Sequence, residues 1–168
     1  MKKSSKTKFN TSGRLAGLFS ALFSLVAIFT MFAKAFNEDE GEARGSLFKI
    51  MFGEQWRTNP GDYYPIWPLI IAFGLVVIAV FCGLAAAIIN NTKAKKGALA
   101  GALVTNAACI TLCMFECQFY EAANSSVCES LATTGDTYIG AAPICVAVFC
   151  GLAIIIDFFA IVYKGEAE

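Results

Sequence analysis

Residues 97–119 read GALAGALVTNAACITLCMFECQF, and this segment decides the fold. It is apolar enough and long enough to cross a bilayer as a helix. Small residues recur in it at every fourth position, a spacing that places them on one side of a helix. In lipid, small side chains favour helix association because they let two backbones approach closely. The spacing therefore predicts a packing ridge for the neighbouring helices, formed by Gly97, Gly101, Thr105, Cys109, Cys113 and Cys117.

Three further apolar runs are also long enough to cross a bilayer, so the sequence predicts a four-span membrane domain. Hydrophobic residues make up 57% of the 168 residues and charged residues 15%. This is too apolar for a soluble domain of this size. The chain is predicted to be all-α, a single integral membrane four-helix bundle over residues 1–168. Its expected spans are about 15–36, 66–90, 97–119 and 138–160, joined by outer loops 37–65 and 120–137 and an inner turn 91–96.

Basic and acidic residues lie in different loops. The N-terminal tail and the 91–96 turn hold eight Lys or Arg and no acid, whereas the other two loops hold nine acids and three bases. The positive-inside rule then predicts a multi-pass protein of the cell membrane with both termini in the cytoplasm. The formal net charge is zero, which predicts no nucleic-acid partner. The apolar spans predict the lipid bilayer as partner.

Seven letters of the second predicted span recur in the fourth. The stretch 79–85, AVFCGLA, is repeated at 147–153. This predicts two similar helical hairpins in parallel repeat, with equivalent packing by Ala79, Gly83, Ala147 and Gly151. Small residues on two other faces, Gly13-Gly17-Ala21 and Ala79-Gly83-Ala87, predict contact with a second copy of the chain or with another membrane protein.

The chain contains seven cysteines and no histidine. Without histidine there is no His-based zinc site, no bis-histidine haem and no His-dependent catalytic pair. Cys109, Cys113 and Cys117 are interpreted either as small packing groups or as soft ligands for Cu(I). Their row continues as Gly97, Gly101 and Thr105, which favours packing, so no cofactor or metal is expected. Cys117 and Cys128, both on the predicted outer side, form a candidate disulfide.

Two polar residues within the spans are candidate site residues. Asn106 lies near mid-membrane and is interpreted either as an interhelical hydrogen-bonding group or as a transport-site ligand. Asp157 is interpreted either as an interfacial partner of Lys93, Lys95 and Lys96 or as a buried proton or cation site.

The first outer loop contains a short apolar turn. Ser46 has the position of an N-cap for it. The turn is interpreted either as a patch that faces a partner or as a lid on its own bundle. Its apolar residues are Leu47, Phe48, Ile50, Met51 and Phe52.

The four-span plan, with an outer turn that ends in Phe52-Gly53 and a basic inner turn, resembles small uncharacterised tetraspan membrane proteins of Gram-positive bacteria. The resemblance implies the architecture and no activity. We therefore expect a non-catalytic scaffold or accessory subunit. The alternatives are a small transporter or channel subunit that uses Asn106 and Asp157, and a membrane protein that handles copper or thiol redox chemistry.

Overall fold

A computed structural model describes residues 2–37, 44–52, 65–116, 118–119 and 138–162 of the chain. In this part of the chain four helices are long and apolar enough to cross a membrane. They are α1 (Lys2–Thr30), α3 (Trp67–Ile88), α4 (Thr92–Met114) and α5 (Ala141–Val162), and a short helix α2 (Leu47–Met51) precedes α3. The prediction of an all-α four-helix membrane bundle is confirmed.

The four long helices form a ring in chain order. α1 packs against α3 and α5, and α4 packs against the same two helices. Large apolar side chains point outward from every helix, for example Phe29, Phe81, Val104 and Phe159. Alanine, serine, cysteine and asparagine lie inside instead. Since lipid tails solvate large apolar groups as well as a protein interior does, this distribution is typical of a membrane bundle.

α1 and α3 are in close backbone contact. A Cβ placed on Gly17 would lie 2.6 Å from the carbonyl oxygen of Gly83, and a Cβ on Gly83 would lie 2.8 Å from that of Gly17. The neighbours in this contact are the small residues Ala21, Ala86 and Ala87. The two small-residue faces expected to bind a second copy of the chain therefore pack against each other within one chain.

The predicted ridge on α4 does not form one buried line. Gly97 is exposed and a Cβ there would meet nothing within 4 Å. Gly101 and Thr105 are half-buried, and Cys109 and Cys113 are buried. A spacing of four residues drifts around a helix of 3.6 residues per turn. The buried positions alternate steps of four and three instead, as Lys95, Leu99, Ala102, Asn106, Cys109 and Cys113.

The inner turn is shorter than predicted. α4 begins at Thr92, so Lys93, Lys95 and Lys96 belong to its first turns. Asn91 caps the helix, since its side-chain oxygen accepts hydrogen bonds from the backbone N–H groups of Lys93 at 3.0 Å and Ala94 at 3.4 Å. The basic N-terminal tail is also helical, because α1 begins at Lys2.

A small sheet, not predicted from the sequence, lies in the segments that join the helices. β1 (Lys34–Asn37) pairs antiparallel with β2 (Arg44–Ser46) and with β3 (Tyr138–Ile139). The sequence analysis extended the first span to residue 36, but α1 ends at Thr30 and the chain then turns into β1. The sheet connects the segment after α1 to the segment before α5.

The short helix α2 closes one end of the bundle. Ser46 is confirmed as its N-cap, accepting a hydrogen bond from the Lys49 N–H at 3.3 Å. Leu47, Ile50 and Met51 are buried in the core with Met31, Ile66 and Leu69. Phe48 packs on this cluster and Phe52 is exposed. The interpretation of this turn as partner-facing is therefore wrong for Leu47, Ile50 and Met51, which belong to a lid on their own bundle.

The repeated heptapeptide does not pack in the same way twice. In α3 the buried residues are Ala79 and Gly83, whereas in α5 they are Cys150 and Ala153. Ala147 and Gly151, the counterparts of the α3 pair, are half-buried, and a Cβ on Gly151 would meet nothing within 4 Å. The two copies of the heptapeptide thus bury different residues in the interior of the bundle.

We expect Gly17→Ala and Gly83→Ala to destabilise the bundle. Replacing an exposed helical glycine by alanine normally raises the free energy of unfolding by about 1 kcal/mol. At these two positions the added methyl meets backbone, and overpacking costs about 1–3 kcal/mol. The midpoint of thermal unfolding in mild detergent should fall for both variants. Gly151→Ala is the matched control and should keep or raise it; equal midpoints for all three would contradict the close contact.

Candidate functional site in the bundle interior

Asp157 lies in the interior of the bundle. Its side chain is fully buried, and Ser20 of α1 donates its hydroxyl to Oδ2 at 2.8 Å. The other carboxyl oxygen, Oδ1, has no hydrogen-bond partner among the described residues. The interpretation as an interfacial partner of Lys93, Lys95 and Lys96 is thus replaced by a buried carboxyl held by a serine.

Asn106 also finds its partner on α1. The Ser24 hydroxyl donates to Asn106 Oδ1 at 3.2 Å, and Asn106 Nδ2 lies 3.1 Å from Ser24 Oγ in a second contact. Both side chains are fully buried. This is the interhelical hydrogen bond that the sequence suggested as one interpretation of Asn106, and it joins two helices that lie diagonally across the ring.

Ser20, Ser24, Asn106 and Asp157 form what we call the polar column. The two serines are one helical turn apart on α1, which corresponds to about 6 Å along the axis. They therefore place the Asp157 carboxyl and the Asn106 amide at neighbouring levels of the interior. Both predicted polar-site residues, Asn106 and Asp157, contact α1. Ser20 and Ser24 of α1 connect them into one arrangement.

α3 contributes a thiol at the level of Asp157. Cys82 lies near enough to the Asp157 carboxyl for the two groups to interact electrostatically. Its Sγ would lie 3.3 Å from a Cβ on Gly101. Gly101 of α4 thus leaves room for Cys82, and the carboxyl on α5 has neighbours on α1 and α3.

Three cysteines form a second group, the thiol cluster. The Cys109 thiol is in hydrogen-bonding contact with the thiols of Cys113 and of Cys150 on α5, and all three are buried free cysteines. Sequence reasoning grouped Cys109 and Cys113 with Cys117, which lies outside the described residues. Within the described part of the chain, no three His, Cys, Asp or Glu side chains are arranged to hold a metal ion.

Glu116 is a second buried acid. It lies two residues beyond the end of α4, is fully buried, and interacts with the Cys113 thiol. Neither carboxyl oxygen has a hydrogen-bond partner among the described residues. Burial raises the pKa of Glu116 to about 9, and the neighbouring Cys113 adds to the shift. This shift favours the neutral carboxylic acid near neutral pH.

Sequence reasoning missed the residues that hold Asp157 and Asn106. Ser20 and Ser24 lie four residues apart in an apolar span, on the same side as the small residues Ala16 and Ala27. Polar groups one turn apart on a small-residue face are the signal that would have found them. The proposed disulfide of Cys117 and Cys128 lies outside the described residues.

Comparison with known proteins finds no matching family model, no similar curated protein and no similar solved structure.

We expect the stability of the protein to fall as the pH rises from about 5 to about 9, because of Glu116. Its pKa is about 9 in the folded state against an ordinary 4.5. Between these values the folded protein holds a proton that the unfolded chain lacks, so each pH unit lowers the free energy of unfolding by up to about 1.4 kcal/mol.

Thermal unfolding of the protein and of Glu116→Gln in mild detergent, at about pH 6 and about pH 8.5, measures this effect. The neutral glutamine should remove most of the difference between the two pH values. The same pH dependence in both proteins would show that Glu116 is ionised in the folded state.

Proposed function

We propose that this protein is a small transporter or channel subunit that binds a proton or a monovalent cation inside its four-helix bundle. The observation that carries the proposal is Asp157, a fully buried carboxyl with one oxygen bound by Ser20 and the other without a partner among the described residues. Acids within membrane spans are energetically costly and are typical of ion and proton pathways.

The surroundings of Asp157 suit a small hard cation or a proton. Ser20, Ser24 and Asn106 supply hydroxyl and amide oxygens, the ligand type preferred by hard cations. A carboxyl in a low-dielectric interior must be neutralised, either by a proton or by a bound cation. Uptake and release of that charge is the chemistry the polar column can support, and it requires no catalytic residue.

Two interpretations from the sequence have less support. An accessory or scaffold function relied on the acidic outer loops, which lie largely outside the described residues, on the 46–53 turn and on small-residue faces. Leu47, Ile50 and Met51 of that turn, and Gly17 and Gly83 of those faces, are packed within this chain. Copper or thiol chemistry relied on a row of three α4 cysteines. The thiol cluster supports instead a packing role between α4 and α5.

We also infer the orientation from charge. The exposed Lys93 and Arg14, whose guanidinium donates a hydrogen bond to Asn90, lie at the end of the bundle that contains the α3–α4 turn. The positive-inside rule supports placing this end, and with it both termini, at the cytoplasmic face of the cell membrane. We also propose that the protein is related to the small tetraspan proteins of Gram-positive bacteria that its four-span plan resembles.

Reconstitution of the purified protein in liposomes tests the function. We expect it to conduct protons, Na⁺ or K⁺ down an imposed gradient, measured with dyes for pH and for each ion. Asp157→Asn, which keeps the shape but loses the charge, should lower the flux by at least about tenfold, as expected for a charge required in the pathway.

Thr111→Val is the matched control. Thr111 is exposed on α4 and its hydroxyl donates to its own helix at Ala107 O, so its loss should leave the flux unchanged. No flux above that of empty liposomes, or equal flux for Asp157→Asn and the unaltered protein, would contradict the proposal.

A further inference from the structure

Glu116 belongs to the same interior as the polar column. Along α4, the buried residues Asn106, Cys109 and Cys113 follow one another in steps of three and four, which place their side chains on one face of the helix. By helical rise, the last residue of α4, Met114, lies roughly 12 Å beyond Asn106 along the helix axis. Glu116 follows two residues later and is also buried.

Polar groups lie between the two acids, some joined by contacts and others one helical turn apart. Glu116 interacts with the Cys113 thiol, and Cys113 contacts Cys109, which also contacts Cys150. One turn further along the same face is Asn106, bound to Ser24, and one turn along α1 from Ser24 is Ser20, bound to Asp157. Every group in this series carries a proton-donating or proton-accepting atom.

We propose that Glu116 is a second, outer proton-binding site on this path, and that the ion carried is therefore a proton. The inference rests on the proposed function and names its ion. A proton from the outer aqueous phase forms an O–H bond with the Glu116 carboxylate. That bond breaks as the proton passes inward, the Asp157 carboxylate receives a proton, and Asp157 releases it to the inner phase. No electrons are transferred.

The surroundings of Glu116 favour a proton over a metal cation. The titratable group that interacts with it in the described residues is the thiol of Cys113, near the end of α4. Beyond Cys113 lie two further thiols, Cys109 of α4 and Cys150 of α5. The core around them is apolar, with residues such as Leu69 of α3 and Val146 of α5. Hard cations need several oxygen ligands at once, whereas a proton needs a single acceptor atom. Both oxygens of Glu116 are available for it within the described part of the chain.

Infrared spectroscopy of the reconstituted protein detects the site independently of transport. We expect carbonyl bands of protonated carboxylic acids near neutral pH, one of which disappears in Glu116→Gln and persists in Asp157→Asn. Absence of this band from the unaltered protein would overturn the inference, because Glu116 would then be ionised.

Proton flux in liposomes that contain no Na⁺ or K⁺ tests the role in transport. Glu116→Gln should lower the flux at least about tenfold, Glu116→Asp should restore part of it because it keeps a carboxyl, and the exposed Thr111→Val again serves as the control and should leave it unchanged. Equal helical content and monodispersity of the variants would show that they fold.

The outcomes separate the two proposals. Normal flux in Glu116→Gln together with loss of flux in Asp157→Asn would overturn the inference and leave the proposed function intact. Flux of Na⁺ or K⁺ without proton flux would also overturn only the inference. No flux of any ion in the unaltered protein would overturn both.

Discussion

The contact between Gly17 and Gly83 is the constraint on which the interior depends. At this point α1 and α3 meet backbone to backbone, with no room for a methyl group on either glycine. In lipid, where burial of apolar surface favours helix association little, such close packing supplies much of the attraction between helices. Because Ser20 follows Gly17 by one turn's worth of residues, the position of α1 in this contact also sets the position of the serines.

Polar groups are held inside by this same arrangement. The small residues leave a narrow interior, and the side chains that fill it include two acids, an asparagine and three thiols. A bundle selected for stability alone would place alanine or leucine at these positions, since a buried carboxyl without a full set of partners is costly. Asp157 and Glu116 both have oxygens without a partner in the described residues. The free-energy cost of burying these carboxyls is consistent with groups that exchange a charge with the aqueous phases.

The number and type of spans could be predicted from the sequence because a long apolar run can be recognised from its residues alone. It did not identify which small residues touch. A row at every fourth position on α4 looked continuous, but the helix turns Gly97 outward and Cys109 inward. The partners of Asp157 and Asn106 were likewise beyond reach, since they lie 137 and 82 residues away in the chain. The β1–β3 pairing depends on similar long-range contact between strands of four residues or fewer, which are too short to leave a periodic pattern.

The most direct measurement is solid-state NMR of the protein in lipid bilayers, with glycine labelled at the α-carbon and the carbonyl carbon. Backbone contact between α1 and α3 predicts a through-space correlation between Gly17 and Gly83 that is lost in Gly17→Ala. If the signals of both residues are identified by their loss in Gly17→Ala and Gly83→Ala but no correlation joins them, the two helices do not meet there. Ser20 and Ser24 would then have no fixed position against Asp157 and Asn106, and the polar column would not exist as described.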